Sequence, residues 1–186
     1  MKILIIGDSF AADWNVIEQP YLGWPNLLSE RYDVLNLAQA GVSQYKIYKQ
    51  LISTDFSKFD YIILCFTDDY RIHIKEHPIH NKTVLHKDCD LILADFDYHI
   101  SKFKNFFNPK LLVMNLWLRY FCDFDYYKDV SSIIRSHMLY LLKDKSVITN
   151  IDLGIPDLFK TNRGVVNHLD EKSNILVFNR IVNNLN

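Results

Sequence analysis

The 186-residue chain reads as one three-layer α/β domain over residues 1–186, a roughly five-stranded parallel sheet with helices on both faces. Three observations predict it. Short apolar runs (Lys2–Ile6, Asp60–Phe66, Lys110–Asn115) lack the alternation of a half-exposed strand, so they read as strands buried on both faces. Stretches with helical spacing of apolar residues fall between them. No internal repeat, low-complexity tract or Pro/Gly-rich linker interrupts the alternation, and right-handed crossovers then make the sheet parallel.

Taken in order, Lys2–Ile6 is the first strand. Trp24–Arg31 follows as a short helix, with Pro25 acceptable in its first turn because the N–H it lacks would be unpaired there anyway. Asp33–Leu37 is the second strand, and Ser43 caps a helix that runs to about Ile52. Asp60–Phe66 is the clearest buried strand. Arg71–Lys87 has no firm period and reads as an irregular excursion. Asp90–Phe107 carries helical spacing through Leu91, Ala94, Ile100, Phe103 and Phe107. Pro109 marks the exit from that helix, and Lys110–Asn115 is the fourth strand. Tyr126–Leu142 is a further helix and Ser146–Asn150 a weak strand. Asp170–Leu185 closes the chain as a helix whose apolar face is read as Ile175, Phe178, Val182 and Leu185.

Composition narrows the function classes. At 49% hydrophobic and 14% aromatic residues, the chain has the means to bury a core and does not resemble a disordered one. A formal charge of −1 leaves no electrostatic footprint for nucleic acid or an anionic membrane. No segment approaches the length of a membrane span, and the N-terminal apolar run is too short for a signal-peptide core, so a cytoplasmic protein is expected. Cys65, Cys89 and Cys122 are odd in number and lack metal-type spacing, so no disulfide framework is expected.

The chemistry-bearing residues fall after strands. Gly7-Asp8-Ser9-Phe10 follows Ile3–Ile6 directly, which puts a serine at the carboxyl end of a strand, where open α/β sheets place their ligands. Its backbone N–H can face an anion near a helix start. The plainer reading is a turn and N-cap. Asn36–Gly41 follows the second strand, with Gly41 able to present an N–H. Thr67-Asp68-Asp69-Tyr70-Arg71 follows the third, and Asn167-His168-Leu169 precedes the last helix. A serine needs a base, and histidine is the usual one at neutral pH. The oxyanion needs donors, which the N–H groups of Ser9 and Gly41 can supply.

This pattern resembles the SGNH, or GDSL-type, hydrolases over nearly the whole chain. Gly7-Asp8-Ser9-Phe10 looks like the family's first block, which holds the nucleophile. Gly41 falls at the oxyanion glycine of the second block. Phe66-Thr67-Asp68-Asp69 falls where the third usually reads Gly-x-Asn-Asp, and His168 falls at the catalytic histidine of the last. The resemblance implies a flavodoxin-like fold and a Ser9–His168 esterase that needs no cofactor. Its substrate would be a small-molecule or carbohydrate ester, with O-acetyl the acyl group expected. An acyltransferase passing the same acyl-enzyme to a sugar hydroxyl is one alternative. A binding protein with a decayed site is the other.

Two departures bear on that choice. Asp68 stands where the family's asparagine donates to the oxyanion; an ionised carboxylate has no donor and opposes the charge that forms. Either Asp68 is protonated by burial, or Thr67 or a water donates in its place, or the match to the block is displaced by a residue; capping is its structural alternative. Val165 stands where the family has an aspartate three residues before the histidine. Asp170 and Asp152 are candidate substitutes, and a backbone carbonyl can also orient the imidazole, leaving a Ser-His dyad.

The other polar candidates point less clearly. His73, His77, His80 and His86 invite a metal reading, but Pro78 breaks the segment and no carboxylate or thiolate partner is placed, so no metal is expected. Trp14, Tyr21, Trp24, Tyr70, Trp117 and Tyr120 read mostly as core, with those near strand ends able to stack on a sugar. Arg71 and Arg119 follow strand ends and suit an acidic substrate group, or pairing with a nearby carboxylate.

Overall fold

A computed structural model describes residues 1–13, 21–67, 69, 71–72, 91–92, 124–161 and 168–185. Its centre is a four-stranded parallel sheet of β1 (Lys2–Gly7), β2 (Asp33–Asn36), β3 (Tyr61–Cys65) and β6 (Ser146–Thr149), in the order β2-β1-β3-β6. Register runs Ile3↔Val34 between β1 and β2, Gly7↔Cys65 between β1 and β3, and Leu64↔Thr149 between β3 and β6. The expected strand Lys110–Asn115 lies outside the described residues.

Strand alternation divides the core in two. Ile3 and Ile5 of β1, with Ile63 and Cys65 of β3, pack on one face with Trp24 and Leu28 of α1 (Trp24–Ser29) and Val177, Phe178, Ile181 and Leu185. Leu4, Ile6, Ile62 and Leu64 turn the other way, onto Ile47 and Leu51 of α2 (Gln44–Ile52) and Met138 of α3 (Phe124–Leu141). The central strands are covered on both faces, which is why they read as unbroken apolar runs. β2 alternates exposed and half-buried residues, as befits a strand at the margin of the described sheet.

Element boundaries shift where local chemistry ends an element. α1 stops at Ser29 rather than Arg31, as Ser29 Oγ donates back to Pro25 C=O (3.0 Å) and Glu30 already lies in the C-cap. A short helix that the sequence pattern did not disclose, α4 (Ile155–Thr161), follows β6. α5 (Glu171–Leu185) buries Asn174, Val177, Phe178, Ile181 and Leu185; Ile175, read as part of its apolar face, is exposed. The face is rotated because Asn174, a polar residue, is turned inward to make hydrogen bonds.

Part of the Arg71–Phe107 stretch also differs. Arg71–Ile72 (β4) and Leu91–Ile92 (β5) pair antiparallel, as a separate two-stranded sheet. Leu91 therefore does not belong to a helix starting at Asp90. Two β-branched or aliphatic residues fit either period, and long-range pairing decided between them. Residues 73–90 and 93–107 lie outside the described residues, with His73, His77, His80 and His86 among them. No described helix is long and apolar enough to cross a membrane.

Candidate active site

At the carboxyl end of β1, Gly7 is the last strand residue and Asp8-Ser9-Phe10-Ala11 form the turn. Gly7 is required by space, since a Cβ there would lie 2.6 Å from Cys65 Cβ and 2.8 Å from Cys65 C=O oxygen. Phe10 N–H donates to Asp8 Oδ1 (3.0 Å) and Ala11 N–H to Asp8 C=O (3.1 Å), so the aspartate side chain shapes the turn. Asp8 and Ser9 are both buried, Ser9 at 9% exposure. Beneath them, burial and then the Asp8 charge push the Cys65 thiol well up, so it stays a neutral packing group.

His168 reaches this turn from the far end of the chain. The ring of Phe10, next to Ser9, packs against the His168 imidazole with centroids 5.2 Å apart, and edge-on against Phe159 of α4 at 5.0 Å. A hydrogen-bonded frame supports the contact. Trp24 Nε1 donates to Phe10 C=O (2.8 Å), and Trp24 N–H donates to Asn174 Oδ1 (3.0 Å). Asn174 Nδ2 donates to the carbonyls of Leu169 (3.2 Å) and Asp170 (3.0 Å). Tyr21 Oη also donates to Leu169 C=O (2.8 Å). Trp24 and Asn174 thus tie the serine turn to the segment that carries the histidine. Both are fully buried. The sequence reading treated Trp24 as core and gave Asn174 no role.

The two carboxylates considered as orienters of His168 have other duties. Asp170 Oδ1 accepts from Ser173 N–H (2.8 Å) as the cap of α5. Its hydrogen bonds to Ser173, aided by Lys172, hold its pKa below the ordinary 3.8. Asp152 Oδ2 accepts from Thr149 N–H (2.9 Å) and Thr149 Oγ1 (2.8 Å), closing the turn after β6. Both engagements are local, made within three residues, as short carboxylate side chains at turns and helix starts favour.

Gly41 has φ of 74°, a left-handed conformation that favours glycine. The loop leading to it runs beside the serine turn: Leu37 N–H donates to Ile5 C=O (2.8 Å) and Gln39 N–H to Gly7 C=O (3.1 Å). Asn36 Nδ2 donates to Ala11 C=O (2.8 Å). Just past Gly41, Ser43 caps α2 by accepting from Lys46 N–H (3.4 Å).

Thr67 continues β3 and is buried. Its N–H donates to Gln44 Oε1 (3.4 Å) and its carbonyl accepts from Arg135 Nη2 (2.8 Å). Thr67 Oγ1 and Gln44 Nε2 are buried without hydrogen-bond partners among the described residues. A buried group left unpaired costs about 1–3 kcal/mol. Asp68 lies outside the described residues, as do Trp14, Tyr70, Trp117, Arg119 and Tyr120. Arg71 falls in β4 rather than in a loop. Among the described residues, no cluster of three or more His, Cys, Asp or Glu has the makings of a metal site.

No protein-family model matches the chain, and no curated protein matches it. Two solved structures resemble it across 98% of its length and 98% of theirs. One is a protein of the G-D-S-L family from Desulfitobacterium hafniense DCB-2, at 14% identity and a TM-score of 0.40. The other is the acetyl xylan esterase AlAXEase, at 15% identity and a TM-score of 0.43.

Proposed function

We propose that the protein is a serine esterase of the SGNH type, acting on a small-molecule or carbohydrate ester whose acyl group is acetyl. The observation that carries the proposal is the meeting, through Phe10, of a strand-end serine turn and a pre-helix histidine from opposite ends of the chain. That proximity agrees with the order of blocks in the resemblance.

In this reading Ser9 Oγ attacks the ester carbonyl while His168 takes its proton, and the tetrahedral oxyanion is held by the N–H groups of Ser9 and Gly41. His168 returns the proton to the alcohol oxygen as the C–O bond breaks, leaving an acyl-Ser9. Water then attacks with His168 again as base, releasing the acid. Asp170 and Asp152 are engaged in local turns, so the proposed unit is Ser9 with His168, and a backbone carbonyl can orient the imidazole. As the resemblance implies, Asp68 and Thr67 are proposed to serve the oxyanion, and Arg71 to bind substrate. Because a carboxylate cannot donate, Asp68→Asn should raise kcat.

The test is labelling of the whole protein with a fluorophosphonate, alongside turnover of 4-nitrophenyl acetate. Ser9-dependent labelling and hydrolysis are expected. Full labelling and activity in Ser9→Ala would end the esterase reading. Transfer to an added sugar in preference to water would instead favour the acyltransferase.

A further inference from the structure

Arg135, on α3, spans two loops of the candidate site. Its Nε donates to Gln44 Oε1 (3.3 Å), and its Nη2 donates to Thr67 C=O (2.8 Å) and pairs with Asp69 Oδ1. Asp69 Oδ1 also accepts from Ser131 Oγ (2.7 Å), one turn earlier on the same helix. The guanidinium lies 5.3 Å from the centroid of the Phe66 ring. One rigid cation therefore grips the first residue of α2, shortly after Gly41, together with both ends of the Thr67–Asp69 loop.

We propose that Arg135 is a positioning residue for the oxyanion side of the site, fixing the Gly41 turn relative to the loop after β3. The inference rests on the esterase reading of Ser9 and His168. A lysine cannot do the same work, because it lacks the planar fork that reaches acceptors on two elements at once. Two of the three acceptors are buried, Gln44 at 3% exposure and Thr67 at 5%, and the Asp69 side chain is 27% exposed. With Gln44 Oε1 held towards Arg135 and the Thr67 N–H, Gln44 Nε2 is left buried and without a partner among the described residues.

The experiment compares wild type with Arg135→Lys and Arg135→Met in the full chain. Turnover of 4-nitrophenyl acetate is measured together with inhibition by a boronic acid that forms a tetrahedral adduct on serine. Misplacement of oxyanion donors should lower kcat about 10- to 100-fold in Arg135→Met. KM should stay within about twofold, and the boronate Ki should rise by the same factor as kcat/KM falls. Arg135→Lys should recover only part of the loss. Wild-type kcat per folded molecule in both variants would overturn the proposal, as would a kcat loss that leaves the boronate Ki unmoved. If Arg135→Met does not fold, Arg135→Lys decides by the same two readouts. Absence of Ser9-dependent turnover in wild type would overturn the esterase reading itself, and is visible before any Arg135 variant is measured.

Discussion

Gly7 shows how little room a single residue has at this sheet edge. Its hypothetical Cβ meets a strand neighbour, Cys65, and not the tip of a flexible side chain. Gly7→Ala must push β1 from β3, and overpacking of this kind costs about 1–3 kcal/mol; a lower urea midpoint at unchanged m-value checks it. At Ser9 and His168 the expectation is kinetic. On the esterase reading, each alanine variant should lose orders of magnitude in kcat, and the double variant should be little worse than either, because members of one catalytic unit are not additive. Asp170 supplies a pH signature. Its folded pKa is depressed, so its contribution is fully present above the unfolded value and is lost as pH falls through the lower folded one. Asp170→Ala should therefore cost about 1 kcal/mol near neutrality, the usual worth of a helix cap. That gap should close as acid titrates the wild type below the ordinary carboxylate range, which denaturation at several pH values can follow.

Elements are joined at the carboxyl edge by side-chain amides that stand in for missing strand partners. Gln50 accepts from Gly7 N–H (2.9 Å) and donates to Gly7 C=O (3.2 Å). Asn150 does the same for Phe66, at 3.1 Å in each direction. A strand that ends in a functional loop leaves backbone groups unpaired, and a carboxamide, with one donor face and one acceptor face, satisfies both. Asn174 extends this logic between α1 and α5. Asn174→Leu keeps much of the volume but strands the buried Trp24 N–H, while the Leu169 carbonyl keeps the Tyr21 hydroxyl as its donor. A loss of about 1–3 kcal/mol per stranded group is expected in chemical denaturation. The esterase reading adds a kinetic effect, because the same amide anchors the segment that carries His168.

For the molecule as a whole, stability should be graded across the sheet. β1 and β3 are paired on both sides and buried on both faces, whereas β2 is half exposed and paired, among the described strands, only to β1. Amides of Ile3–Ile6 and Ile62–Leu64 should exchange with solvent only through global unfolding, and those of Asp33–Asn36 through cheaper local opening. Hydrogen exchange followed residue by residue would show this order, and equal protection in all three strands would contradict it. The candidate site thus grows from the most protected strands, which suits groups that must be held in fixed geometry.

What the sequence determined by itself was the set of patterns that short-range physics enforces. The apolar runs of β1 and β3, the Ser43 cap and the terminal helix were legible because burial on two faces, capping and helical spacing each leave a local trace. Ser9 and His168 stand out in the sequence by their places after the first strand and before the last helix, and the fold brings Phe10, beside Ser9, against His168. Tertiary structure alone decided the rest. Asp170 and Asp152 close turns, each accepting hydrogen bonds from donors within three residues. The pairing of Arg71–Ile72 with Leu91–Ile92 overrode a helical pattern because strand pairing is non-local. The roles of Trp24, Asn174 and Arg135 have no sequence signature: each acts by joining segments far apart in the chain, and only folding brings those segments within hydrogen-bond reach.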